Sequence, residues 1–187
     1  MRLLFSVCLA IGGLFWSAAR AGEPLPPPEA KAVCSQNGFF CAVMDPEQKV
    51  TTVVRRRAGG VSQPLWSMDG WFRVAYVSND GEYLVTGYDG VNLLPLKYKK
   101  DQVMISFYDR GRLIGQVRLN EMISDFSKLE KVASRDTALA TARGGSQTVS
   151  HYRWGDYMGL NSEDHLTVEL ADKTWLLFDV RTGKMIK

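Results

Sequence analysis

The chain has 187 residues, 45% of them apolar, with 23 basic and 20 acidic side chains and a net charge of +3. Two of the basic residues, Arg2 and Arg20, lie in an N-terminal leader, so the remainder carries 23 − 2 = 21 basic against 20 acidic groups. So even a balance argues against a nucleic-acid partner, which calls for a strong basic excess on one face.

Residues 1–21 have the three parts of a secretory signal: Arg2, a short apolar run from Leu3 to Trp16, and small residues at Ala19 and Ala21. Cleavage is expected after Ala21, which removes Cys8 and leaves 187 − 21 = 166 residues, the size of one domain with a real core. No later segment reaches the roughly 20 apolar residues of a spanning helix. The expected location is secreted or periplasmic. Residues 22–30 contain Pro24-Leu25-Pro26-Pro27-Pro28, an extended stretch poor in amide donors that reads as a spacer.

A single all-β domain with one helical insertion is expected over 31–187. Its first unit, Lys31 to Arg57, has two strands around Gln36 to Phe39, a turn at Asp45-Pro46-Glu47 and a third strand from Val50 to Arg55. In a four-residue hairpin loop Ser35 faces Phe40 and Cys34 faces Cys41, close enough for a disulfide. With C-x-x-C absent, a structural bridge is the expected role of this pair. Ala58-Gly59-Gly60 to Pro64 reads as a loop. The clearest hairpin follows, Trp71 to Ser78 and Glu82 to Tyr88 around Asn79-Asp80-Gly81. Gly90 to Asp101 is a long connection whose leucines Leu93, Leu94 and Leu96 are expected to tuck under the sheet. Val103 to Tyr108 and Leu113 to Leu119 form another hairpin. Leu119, Met122, Ile123, Phe126 and Leu129 recur at helical spacing, with Asn120 as N-cap. This helix opens an insertion at about 119–150, whose part from Ser134 to Ser150 reads as mobile. Strands at Leu166 to Leu170, Thr174 to Val180 and Lys184 to Ile186 close the chain.

A repeat runs through these units. Sliding the first by 43 positions lays Ser35, Asn37, Gly38, Phe40 and Ala42 on Ser78, Asp80, Gly81, Tyr83 and Val85. It also lays Cys34 and Cys41 on Val77 and Leu84. A further slide of 83 puts Gly81 on Asp164 and Tyr83 on Leu166, a looser match. Ser78-Asn79-Asp80-Gly81-Glu82-Tyr83-Leu84-Val85 resembles the inner turn of β-propeller blades of the WD40-like and TolB-like kinds. The resemblance implies four-stranded blades. About three units fall short of a closed ring of four to eight, and no Trp-Asp signature ends a blade. The alternatives are a rolled sheet, a sandwich with a repeated hairpin, or two chains completing a ring as a homodimer.

Few residues carry chemistry. His151 follows Ser150 and lies near Asp156, the one grouping that could serve a hydrolase, without a G-x-S-x-G elbow. His151, Tyr152 and Trp154 also suit the start of a strand with an aromatic cluster. No metal set and no cofactor motif is present: the histidines are far apart, and Asp80, Asp89 and Asp101 lack calcium-loop spacing. Arg55, Arg56 and Arg57, with Lys97, Lys99 and Lys100, are the strongest charge features and are candidate contacts for a lipid headgroup, an acidic glycan or an acidic protein. The sequence reads as a non-enzymatic binding or scaffold protein for a protein or an anionic envelope component. The alternatives are an exported hydrolase acting on envelope polymers and an exported inhibitor of a hydrolase.

Overall fold

Short strand-forming segments joined by tight turns pair with their sequence neighbours, and a meander of antiparallel strands results. In a computed structural model that describes residues 25–57, 62–133 and 149–186, such meanders recur. The expected leader, residues 58–61 of the expected 58–64 loop and the 134–148 part of the insertion lie outside the described residues; residues 62–64 of that loop are already paired as a strand.

The first sheet contains β1 (Lys31–Cys34), β2 (Phe40–Asp45), β3 (Val50–Arg56) and β4 (Ser62–Asp69) in chain order. The second is built from β5 (Ala75–Val77) and β6 (Tyr83–Gly87). The chain then leaves it for the short β7 (Leu93–Pro95) and returns as β8 (Val103–Asp109) and β9 (Arg112–Arg118). Strand pairing in the second hairpin is confined to Ala75–Val77, because residues 71–74 carry the chain from the outer strand of one sheet to the inner strand of the next. After α1 (Leu119–Met122) come β10 (Glu130–Ala133) and β11 (Val149–Arg153), which join β7 in a small sheet ordered β10-β11-β7. The last sheet runs β12 (Gly155–Leu160), β13 (His165–Leu170), β14 (Trp175–Asp179) and β15 (Lys184–Met185). Among the described residues the domain is all-β with one short α-helix, and none of the sheets closes into a barrel.

The three four-stranded sheets stack. Ala42, Met44 and Val53 of the first, with Phe40, Trp66 and Met68, pack on Ala75, Val77 and Leu84 of the second. The next residue along β6, Val85, points the other way and joins Ile105, Phe107 and Val117 against Met158, Leu166, Val168 and Phe178 of the last sheet. The middle sheet is therefore covered on both faces, as its apolar residues on both sides of the strand require. Each large side chain buried this way contributes about 1.5–3 kcal/mol relative to exposure. Two outer turns seal the stack. Gly111 lies against the β4 backbone at Ser67, and Gly183 against Gly115 of β9. A Cβ on Gly115 would come within 3.3 Å of the Gly183 Cα, so both stay bare.

The helix is shorter than the periodicity predicts. Arg118, not Asn120, is its N-cap, and Ile123 is already extended. Asp125 accepts the Ser127 amide and opens a separate 3-10 turn at Phe126–Lys128, after which β10 pairs with β11. Leu119, Met122, Ile123 and Leu129 are all buried, so an irregular path satisfies the same apolar side chains that a helix would have used. Of the connecting leucines Leu94 is fully buried, whereas Leu96 is exposed.

The repeat is clear at the first turn and slips at the third. Cys34 faces Cys41 and Val77 faces Leu84, but Leu160 faces Leu166, one residue closer in sequence. The counterpart of Leu166 is thus Leu84, not Tyr83. The slide of 83 holds only up to the turn. Finally, residues 25–30 are exposed but not a free spacer, since Trp71 and Arg73 hydrogen-bond to their carbonyls.

Candidate functional site

β1, β5 and β12 run into turns at the same end of the stack, and the three turns are bonded to one another. Each is first fixed internally. Ser35 Oγ donates to Asn37 Oδ1 at 2.7 Å and accepts the Phe40 amide at 3.2 Å. Ser78 Oγ likewise donates to Asp80 Oδ1 and accepts the Tyr83 amide at 3.0 Å. Asn37 and Asp80 therefore do the same work in the two repeats, capping a glycine turn in the manner of short polar side chains. In the third turn Asn161 Oδ1 accepts the Glu163 and His165 amides.

The bonds between turns are as dense. The Asn37 amide donates to Asn79 Oδ1 at 2.9 Å, and Asn37 Nδ2 donates to the Asn79 carbonyl at 2.7 Å. The Asn79 amide donates to Asp164 Oδ1 at 2.8 Å, while Gln36 Nε2 reaches the Leu160 carbonyl at 2.6 Å. Asp164 is buried, and that burial pushes its carboxyl above the ordinary carboxylate range against the pull of the Asn79 amide. The sequence marks Asn37 and Asn79 as turn residues, but the bonds between the turns, and the part Asp164 plays in them, depend on how the sheets stack and are not legible in it.

At the tip of the first turn Phe39 is 61% exposed. Its position is fixed from both sides. Its own amide donates to Asn37 Oδ1, and its carbonyl accepts the Arg56 amide at 2.8 Å. The Cys34–Cys41 disulfide closes the hairpin behind it. Arg55, Arg56 and Arg57 are exposed at the end of β3 beside this tip. Arg57 donates to Gln63, and among the described residues none of the three is in an ion pair. An exposed aromatic ring and three cations thus share one braced edge. Lys97, Lys99 and Lys100 follow β7 at the opposite end of the stack, and Lys100 lies over the Phe126 ring at 4.6 Å. The two basic groups do not form one surface.

His151 is in β11, facing Pro95 and Val132. Asp156 is in β12 and is held by cations: Lys173 Nζ at 2.6 Å and Arg153 Nη1 at 2.9 Å. Arg153 also bonds Glu130, and Lys173 also lies 3.4 Å from Glu169. The carboxylate predicted to serve a hydrolase is the centre of an ion-pair chain. The Ser150 side chain lies outside the described residues. Tyr152 does join an aromatic cluster, with Tyr98 and Phe126, whereas Trp154 is buried and donates its indole N–H to the Val91 carbonyl.

A cleft of about 130 Å³ opens between α1, the 3-10 turn and the β13–β14 turn, lined by Ser124, Asp125, Lys128, Trp154 and Asp172. Its carboxylates are already engaged. Asp125 and Asp172 are held below the ordinary range by bonds from Ser127 and Thr174 respectively, and Lys128 pairs with Asp172 at 3.3 Å. Among the described residues no group of three His, Cys, Asp or Glu is placed to hold a metal ion, and no helix is long and apolar enough to cross a membrane.

No protein-family model and no curated protein matches the sequence. Among solved structures, a Bacteroides fragilis protein assigned as a 6-phosphogluconolactonase is similar at 12% identity and a TM-score of 0.37. The match covers 83% of this chain and 36% of that one, so the chain spans about a third of its length.

Proposed function

We propose that this is an exported, non-enzymatic binding protein, a short stack of propeller-like blades that presents the Phe39 tip and the Arg55–Arg57 edge to an acidic protein or an anionic envelope component. The observation that carries the reading is Phe39, 61% exposed on a hairpin held by a disulfide and by the Asn37–Asn79 bonds. A large apolar ring kept in water on a rigid support loses little conformational entropy on binding, which is how anchor residues at interfaces work. The flanking cations would speed encounter with an anionic partner and select it. The disulfide suits an oxidising compartment, as expected of an exported chain.

The test is site-specific photo-crosslinking from position 39 in cells. We expect a reproducible adduct that is lost in the Arg55→Glu, Arg56→Glu, Arg57→Glu triple variant and weakened about tenfold or more by Phe39→Ser in a purified pull-down. No adduct from position 39, or adducts indifferent to the charge reversal, would remove the proposal.

A further inference from the structure

The link from β4 to β5 is hydrogen-bonded to the stretch that precedes β1. Gly70, at φ +116, turns the backbone over the Phe72 ring, where a Cβ would meet Phe72 Cζ at 2.6 Å. Trp71 and Arg73 follow. The Trp71 indole N–H donates to the Glu29 carbonyl at 2.8 Å, and Arg73 Nη1 donates to the Pro26 carbonyl at 2.8 Å. Both donors are held in place. Lys31 Nζ lies 4.9 Å and the Arg73 guanidinium 5.2 Å from the Trp71 ring centre. Lys31 Nζ also donates to the Arg73 carbonyl at 2.6 Å, and Arg73 Nε is 3.3 Å from Asp89.

The spacing of the two acceptors identifies what is being read. Leu25, Pro26 and Pro27 each precede a proline and are kept out of the helical region, and the prolines themselves have fixed φ. A chain so restricted takes the polyproline II form, with three residues per turn. Pro26 and Glu29 are one turn apart, so their carbonyls lie on one side of the helix about 9 Å from each other. The donors touch only main-chain oxygens. Any proline-rich segment in the same register offers the same two acceptors, preorganised, which is the basis of recognition of such segments by aromatic grooves.

We infer that Trp71 and Arg73 form a binding site for a polyproline II segment, occupied in cis by residues 26–29 and open to a proline-rich segment of a partner when that strap leaves. Exchange is within reach because the strap is exposed along its length and is held through two hydrogen bonds, each of modest net worth against water. The low pKa that burial and Arg73 impose on Lys31 fits the crowding of cations around the indole. The inference rests on the binding-protein reading and adds a partner class and a second surface to it.

The probe is a labelled peptide of residues Gly22 to Ala30, titrated by anisotropy into the full chain as its cell processes it. A tethered strap competes at an effective concentration in the millimolar range, so wild type should bind the peptide weakly. Replacing Pro26, Pro27 and Pro28 with Gly in the protein breaks the strap's conformation, and this variant should bind the peptide about tenfold tighter or more. Adding Arg73→Gln or Trp71→Phe to it should lower affinity about fivefold each, the worth of one hydrogen bond. Circular dichroism confirms that each variant is folded, and Arg73→Gln alone suffices if Trp71→Phe is not. Equal binding by wild type and the glycine variant, or binding indifferent to Arg73, overturns the inference. If crosslinking from position 39 succeeds while the peptide fails, the strap site is lost and the binding-protein reading stands; the reverse outcome removes the Phe39 tip.

Discussion

Asp164 is subject to two opposed demands. The Asn79 amide on Oδ1 favours a carboxylate, whereas burial and the nearby Asp80 disfavour one, and burial is the larger effect. The carboxyl therefore holds its proton to higher pH in the native state than in the unfolded chain, where 3.8 is ordinary. A raised native value stabilises the fold below the unfolded value, and this contribution is lost as pH rises through the native one. Asp164→Asn keeps an oxygen for Asn79 and has no charge to desolvate. We expect little change in stability at about pH 3 and a gain that opens toward about pH 7, read as the difference in urea midpoint between variant and wild type. A difference that is flat, or that favours wild type at neutral pH, would show that the Asn79 bond outweighs burial.

At the scale of the element, local chemistry decided what was legible. The hairpin at Cys34 to Cys41 is written in its own residues, with Asn37 and Gly38 making the turn and the cysteines facing across it, and the disulfide forms as the register predicts. The segment after Arg118 is different. Its leucines and methionine repeat at helical spacing, yet the side chain of Asp125 captures the amide of Ser127 and the strand β10 pairs with β11. That pairing partner lies far along the chain, beyond residue 148, so no window around the helix contains it. The bonds joining Asn37, Asn79 and Asp164 were hidden for the same reason. The hairpin prediction is correspondingly local. Replacing both Cys34 and Cys41 with Ser should lower stability by about 2–3 kcal/mol, the chain-entropy value for so short a loop. Denaturation with and without reductant checks it, since reduced wild type should match the variant.

Across the whole molecule, the stack has two outer faces that differ from its inner ones. On the first sheet Cys41, Val43 and Thr52 face away from the core, and Thr52 and Ser67 share a hydroxyl hydrogen bond of 2.9 Å. On the last, Tyr157, Glu169 and Trp175 stand in one row across three strands, directly opposite one another. Glu169 is tied to Lys173 and through it to Asp156, while Trp175 is 52% exposed against Tyr157. Where the middle sheet carries Val85, Phe107 and Ile105, the last sheet carries Thr167, Leu177 and Trp175. These outer faces mix exposed apolar groups, Val43 and Trp175, with the polar Thr52 and Glu169 paired across from them. A second copy completing a ring would have to bury this ion-pair chain, at an effective cost of several kcal/mol per ion after relaxation. The chain should therefore sediment as a monomer at concentrations of about 100 μM, about a hundredfold or more above those at which a standard-size protein interface forms. A reversible dimer in that range, abolished by Val43→Glu on one face and by Trp175→Glu on the other, would mean that the outer faces meet and that the stack is half of a closed ring.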